Sequence, residues 1–230
     1  MLPGFSVFCI GWFFMSLMTM ILKMSEGLGK TCAIFFLTLL FSLPLGIVVA
    51  LLRMSNNKVI SNITRAVISV LRGTPMMLQL LAVTYGPYYL FGWSVSRKKL
   101  IPVVIAFAIN YAAYFAEIYR GGIESVPKGQ NEAAEVLGYT KFQAFVRIII
   151  PQVFKRILPS ITNEVVTLVK DTSIAFTVSY QEMFTIGKQI ANSQTSFTPF
   201  VVAGVFYFLF NALVDFGMGR IEHRLSYYRI

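Results

Sequence analysis

The sequence predicts an all-α protein that crosses a membrane several times. Of its 230 residues, 56% are hydrophobic and only 13% are charged, about half of the charged share of ordinary soluble domains. Several apolar runs approach the ~20 residues that an α-helix needs to cross the hydrocarbon core. A soluble protein with a buried core would show shorter runs. Composition and run length therefore predict a polytopic membrane protein.

Five core spans are predicted, after an N-terminal segment that is harder to assign. Residues 5–22 are apolar and aromatic, and only the short polar stretch 23–30 separates them from the next span. The segment 1–26 is either a first transmembrane helix in a tight hairpin, giving a sixth span, or a helix lying at the membrane interface. The core spans cover residues 31–52, 67–91, 102–119, 151–178 and 197–218.

The connections between spans carry most of the polar residues. Gly73 and Pro75 predict a bend near the start of the second span, and Arg72 beside them is expected to snorkel toward the interface. Residues 181–196 are expected to form a polar loop before the last span. The basic tail, 220–230, follows it.

The net charge is +10, and the distribution of the basic residues along the chain is explained better by membrane topology than by nucleic-acid binding. Thirteen of the twenty Lys and Arg residues fall on one side of the five spans. The positive-inside rule places that side, with the C-terminus, in the cytoplasm. A cluster at Arg97, Lys98 and Lys99 opposes this assignment but is smaller. Contact with lipid is therefore expected, and contact with nucleic acid is not.

Residue types that support catalysis or metal binding are scarce. His223 is the only histidine, and Cys9 and Cys32 both lie in apolar segments, so no catalytic or metal site is predicted. The Gly-Lys-Thr at 29–31 does not form a P-loop, because Met24 stands where that motif needs its first glycine. The chain is expected not to be an enzyme.

A polar island at about 120–150 interrupts the apolar pattern. Within it, Pro127 precedes a short helix that ends at Gly138, and Thr140 is placed to cap a second one. Two short amphipathic helices outside the membrane offer a knob for a partner's groove. On physical grounds alone, an ordinary loop lying on the membrane surface is an equal alternative.

The spacing within 132–151 decides between these alternatives. Glu132, Ala133 and Ala134, followed by Gly138 and Pro151, have the spacing of the EAA loop of bacterial ATP-binding-cassette (ABC) importers, a coincidence expected by chance about once in a million start points. Other segments resemble the same family: 72–75 with Gln79, 114–123, 128–130, 163–164 and 170–173. Over residues 27–220 the chain resembles the permease subunit of an ABC importer for polar amino acids. Ile150, where the family usually has leucine, is a conservative departure.

This resemblance implies the type I importer fold over 27–219, in a bacterial inner membrane. The loop would be a coupling helix, with Glu132, Ala133, Ala134 and Gly138 contacting a separate ATP-binding subunit. That subunit would hold ATP-Mg, and this chain would carry no cofactor. An extracytoplasmic substrate-binding protein would deliver the amino acid. The permease would pair with a second copy or with a sister permease.

Polar residues within the spans mark a candidate substrate path, because an ionisable group at bilayer depth costs about 2.5–3.5 kcal/mol. They are Asn110 and Glu117 on the third span, and Asn163, Glu164, Thr167, Lys170 and Asp171 on the fourth. Together they supply the donors and acceptors that a zwitterion needs. The alternative is that Lys170 and Asp171 are solvated at a helix end while Glu164 pairs with a neighbouring helix.

Two other classes of protein compete with this interpretation. An ion-coupled secondary amino acid carrier would need no EAA loop. A membrane-embedded enzyme would need a nucleophile, metal ligands or a cofactor motif, and the sequence shows none of these.

Overall fold

The computed structural model describes residues 3–94 and 99–225, with side chains from residue 17 onward. This part of the chain is helical and contains no strand, as predicted. The α-helices are α1 Pro3–Arg53, α2 Lys58–Gly73, α3 Met76–Phe91, α4 Leu100–Glu124, α5 Gly129–Val136, α6 Lys141–Ala144, α7 Ile150–Asp171, α8 Met183–Gln194 and α9 Thr198–Leu225. A π-helical turn, Phe145–Ile149, joins α6 to α7, and a 3-10 helix, Thr172–Val178, follows α7.

Helix α1 is continuous through the stretch where a break was expected. The tight hairpin at 23–30 is therefore wrong. Gly27 serves close packing instead of a turn, since a Cβ there would lie 2.7 Å from the Cα of Met183 on α8. Met24 in the same stretch is fully buried. The polar stretch thus remains helical because α8 packs against it.

By length and composition, three described helices are able to cross a membrane: Leu17–Arg53, α4 and α9. The α2–α3 pair, bent by 107°, gives a fourth if counted as one broken span. The predicted fourth span, α7, carries too many charges to meet this criterion. It packs against α4 and α9, so only part of its surface faces outward.

The bend predicted in the second span is confirmed. Helix α2 ends at Gly73 and α3 begins at Met76, so residues 67–73 belong to α2. The Gln79 side chain holds the break, because its Nε2 donates to the Leu71 carbonyl at 2.7 Å and to Thr74 Oγ1 at 2.8 Å. These bonds satisfy polar groups that have no helical partner at the break.

The pairing of α1 with α4 is the most extensive helix contact in the described residues. It relies on small side chains, which let two membrane helices approach closely. A Cβ on Gly46 would lie 2.8 Å from Phe115 Cβ. Nearer the end of α1, Ala50 packs with Ala113 and Ala116.

Helices α4 and α7 run antiparallel and also cross closely. A Cβ on Gly122 would lie 2.1 Å from Ile157 Cγ2 and 3.1 Å from Val153 Cγ1. At the other end of the pair, the Tyr111 hydroxyl donates to Asp171 at 2.8 Å. The two contacts fix the register of α4 and α7.

The expected polar loop at 181–196 is wrong, since most of it forms α8. Glu182 begins this helix and is fully buried, and its carboxylate accepts hydrogen bonds from the Phe184 and Thr185 N–H groups at 2.7 and 2.6 Å. Burial raises the pKa of the Glu182 carboxyl, while these hydrogen bonds and one from the Tyr207 hydroxyl act in the opposite direction. The cap therefore attaches α8 to α9.

The glycine at the α4–α7 crossing provides a stability test. We expect Gly122→Ala to lower the melting temperature of the purified protein, because overpacking costs about 1–3 kcal/mol. The matched control is Gly121→Ala, where a Cβ meets nothing within 4 Å and better helix propensity favours folding. Equal melting temperatures for the two variants would contradict the close crossing.

Candidate substrate path and coupling loop

The loop at 132–151 has the local structure that its sequence predicts. Gly138 adopts a left-handed conformation, with φ of 78°, between α5 and α6. Thr140 caps α6 in a capping box: the Gln143 N–H donates to Thr140 Oγ1, and Gln143 Oε1 accepts from the Thr140 N–H. The π-helical turn continues α6 directly into α7, so no non-helical residue separates the loop from α7.

Three of the four predicted contact residues lie on the loop surface. Glu132, Ala133 and Gly138 are exposed, whereas Ala134 is only 1% exposed. The Ala134 carbonyl accepts a hydrogen bond from the Tyr139 N–H at 3.0 Å. Ala134 therefore packs inside the helical hairpin, and its small size serves the fold of the loop.

The loop also presents an apolar knob, formed by Val136, Leu137 and Phe142. Their exposed fractions are 88%, 73% and 76%. None of these three residues is among the contact residues predicted from the sequence. The available signal was a pair of large apolar residues directly before Gly138, at the end of an otherwise polar helix. Exposed apolar groups of this kind mark a surface for a partner.

The predicted path residues of α7 share one side of the helix. Asn163, Thr167 and Lys170 are exposed, and Glu164 and Asp171 are partly buried beside them. Their periodicity of three to four residues places them along one face. This face is a continuous polar stripe in a helix that otherwise packs through apolar residues.

Asn110 and Glu117 do not join this stripe. Asn110 is 5% exposed, and its Nδ2 donates to Gln79 Oε1 at 2.9 Å, so it fixes α4 to the α2–α3 break. Glu117 pairs with Arg120 at 2.6 Å and lies 3.7 Å from Arg53 on α1. Each therefore has a structural partner on or beside α4.

Arg72, which was expected to snorkel toward the interface, contacts an aromatic ring of α4. Its guanidinium is 5.0 Å from the ring centroid of Tyr114 on α4. Arg72 lies in the last turn of α2, directly before the α2–α3 break. The Arg72 guanidinium is thus held beside an aromatic ring of α4, where it suits a ligand that carries a carboxylate group.

Comparison with known proteins assigns the chain to a family. Residues 42–227 match the family described as "Binding-protein-dependent transport system inner membrane component". The chain belongs to this family. Members are membrane-embedded transport subunits and not catalytic ones. Because they belong to binding-protein-dependent transport systems, the alternative of an ion-coupled carrier is not favoured.

Individual relatives span nearly the same length. The nopaline transport system permease protein NocM of Agrobacterium fabrum is 34% identical over 203 residues, covering 84% of this chain and 83% of NocM. The L-cystine transport system permease protein TcyL of Bacillus subtilis is 36% identical, covering 86% and 85%. A crystal structure of an amino acid ABC transporter superposes with a TM-score of 0.84 at 32% identity, covering 92% of this chain and 98% of that one. The predicted type I importer fold is confirmed.

Substitutions of Asn110 and Asn163 test whether Asn110 has a structural role and Asn163 a surface position. We expect Asn110→Ala to lower the melting temperature, because it leaves polar groups at the α2–α3 break unpaired at about 1–3 kcal/mol for a buried group. Asn163→Ala is the matched control, because Asn163 is exposed and should leave the melting temperature unchanged. A destabilised Asn163→Ala with a stable Asn110→Ala would contradict this assignment.

Proposed function

We propose that this transport subunit forms the membrane path of an ATP-driven importer for a polar amino acid. The observation that carries the proposal is the loop at 132–151, an exposed helical hairpin with an apolar knob that continues into α7. Because α7 also bears the polar stripe, one rigid element connects the docking surface to the path. An ion-coupled carrier has no use for such a surface.

The chemistry of the stripe supports an amino acid as the transported molecule. The Arg72 guanidinium suits an α-carboxylate, and the Glu164 carboxylate suits an α-ammonium group. The relatives named for nopaline and L-cystine, both amino acid derivatives, agree with this chemistry. The exposed side chains of Asn163, Thr167 and Lys170 would then contact the remainder of the ligand.

The proposed assembly contains further chains. An ATP-binding subunit, holding ATP-Mg, docks on Glu132, Ala133 and the knob formed by Val136, Leu137 and Phe142. A binding protein delivers the amino acid at the opposite membrane face. A second copy of this chain, or a sister permease, completes the path. The charge distribution supports a cytoplasmic loop and C-terminus.

Replacing Gly138 tests the docking loop. We expect Gly138→Val to reduce co-purification of the ATP-binding subunit and uptake together, because a β-branched residue in the left-handed conformation costs about 1–2 kcal/mol. Gly129→Val on the same hairpin is the control, since a Cβ at Gly129 meets no atom within 4 Å and its φ is not positive. Retained co-purification and uptake in Gly138→Val would argue against docking at this loop.

Replacing Glu164 tests the path. We expect Glu164→Gln to raise the KM of ATP-dependent uptake about tenfold or more, because a hydrogen bond to a charged group contributes about 1.5–3 kcal/mol. Glu124→Gln is the control, since Glu124 lies at the end of α4 and pairs with Arg120. Unchanged kinetics and selectivity in Glu164→Gln would remove it from the path. Uptake by wild-type vesicles without ATP would contradict the proposed function itself.

A further inference from the structure

A polar cavity lies between α4 and α7, at the end that leads into the coupling loop. Its volume is about 400 Å³, within the 300–1,000 Å³ typical of small-molecule sites. The polar side chains that line it are Glu117, Ser125, Arg156 and Ser160. Along α7, Ser160 of this cavity and Glu164 of the polar stripe are about one helical turn apart.

The charged groups of this cavity keep unused hydrogen-bonding capacity. Oε2 of Glu117 accepts both hydrogen bonds from Arg120, whereas Oε1 lies 3.7 Å from Arg53 Nε, beyond hydrogen-bond distance. Arg156 uses Nη1 to hold the Ser125 carbonyl and hydroxyl. Its Nε and Nη2, and the Ser160 hydroxyl, make no hydrogen bond within residues 3–94 and 99–225.

The backbone at this position is accessible to a ligand. Gly121 also lines the cavity, and the place where its Cβ would stand is empty to 4 Å. Helix α4 ends here at Glu124, and the carbonyl groups of Gly121, Gly122, Ile123 and Ser125 already accept hydrogen bonds. The acceptor for a ligand on the α4 side of the cavity is therefore Glu117 Oε1, and the guanidinium donors of Arg156 lie on the α7 side.

We infer that this cavity is a second binding site for a free α-amino acid, on the coupling-loop side of the membrane. The ammonium group is bound by Glu117 Oε1, and the carboxylate by the free nitrogens of Arg156 with the Ser160 hydroxyl. The identity of the ligand rests on the proposed function. Because Arg156 also holds the Ser125 carbonyl, the bound molecule bridges α4 and α7 directly beside the start of the loop.

Thiol protection tests this site in the complete complex with its ATP-binding subunit. Cys9 and Cys32 are replaced by serine, and Ser160→Cys is labelled with a membrane-impermeant maleimide in inside-out vesicles. The probes are L-arginine, L-glutamine, L-glutamate and L-histidine, added separately at millimolar concentration. We expect at least one to slow labelling about fivefold or more, while labelling of Leu137→Cys on the exposed knob stays unchanged.

Two additional variants localise the protection. Arg156→Gln should abolish it without changing the labelling rate in the absence of amino acid. Glu164→Gln should retain it, because that residue belongs to the other site. Absence of protection by all four probes, an unreactive Ser160→Cys, or protection that survives Arg156→Gln would overturn the inference. ATP-dependent uptake is measured on the same vesicles, so that its loss counts against the proposed function separately.

Discussion

The close approach of α4 to its neighbours is the constraint on which the rest of the structure depends. Lipid tails are as apolar as leucine, so helices in a bilayer gain little from burying apolar surface and associate through tight packing instead. Gly46 lets α1 contact Phe115 on α4, and Gly122 lets α4 contact Ile157 on α7. Helix α4 therefore packs closely against both partners at positions occupied by glycine.

This packing determines how the coupling loop is connected to the membrane helices. The loop connects the ends of α4 and α7, which are also joined at Gly122–Ile157 and at Tyr111–Asp171. A load on the loop therefore acts on a helix pair whose register is fixed at both ends. The polar stripe on α7 begins after the first of these points and ends at Asp171, which forms the second, so both contacts constrain it.

Local chemistry in the sequence predicted the features that depend on neighbouring residues. The bend before Pro75, the left-handed Gly138 and the Thr140 cap all follow from backbone preferences within a few positions. The features that were missed depend on distant contacts. Helix α8 begins where Glu182 meets the Tyr207 hydroxyl, and Ala134 is buried because the hairpin folds over it. The spacing of the EAA loop predicted the family but could not show which of its residues face outward.

The uninterrupted length of α1 has a consequence for its place in the bilayer. At 1.5 Å per residue its 51 residues extend about 77 Å, against a hydrocarbon core about 30 Å thick. A tilt of about 40°, the upper end of the usual range, lengthens the crossing only to about 39 Å. Counted back from Arg53, the crossing ends close to residues 23–30. A single crossing therefore accounts for only about half of α1, and residues 23–30 lie near the end of that crossing.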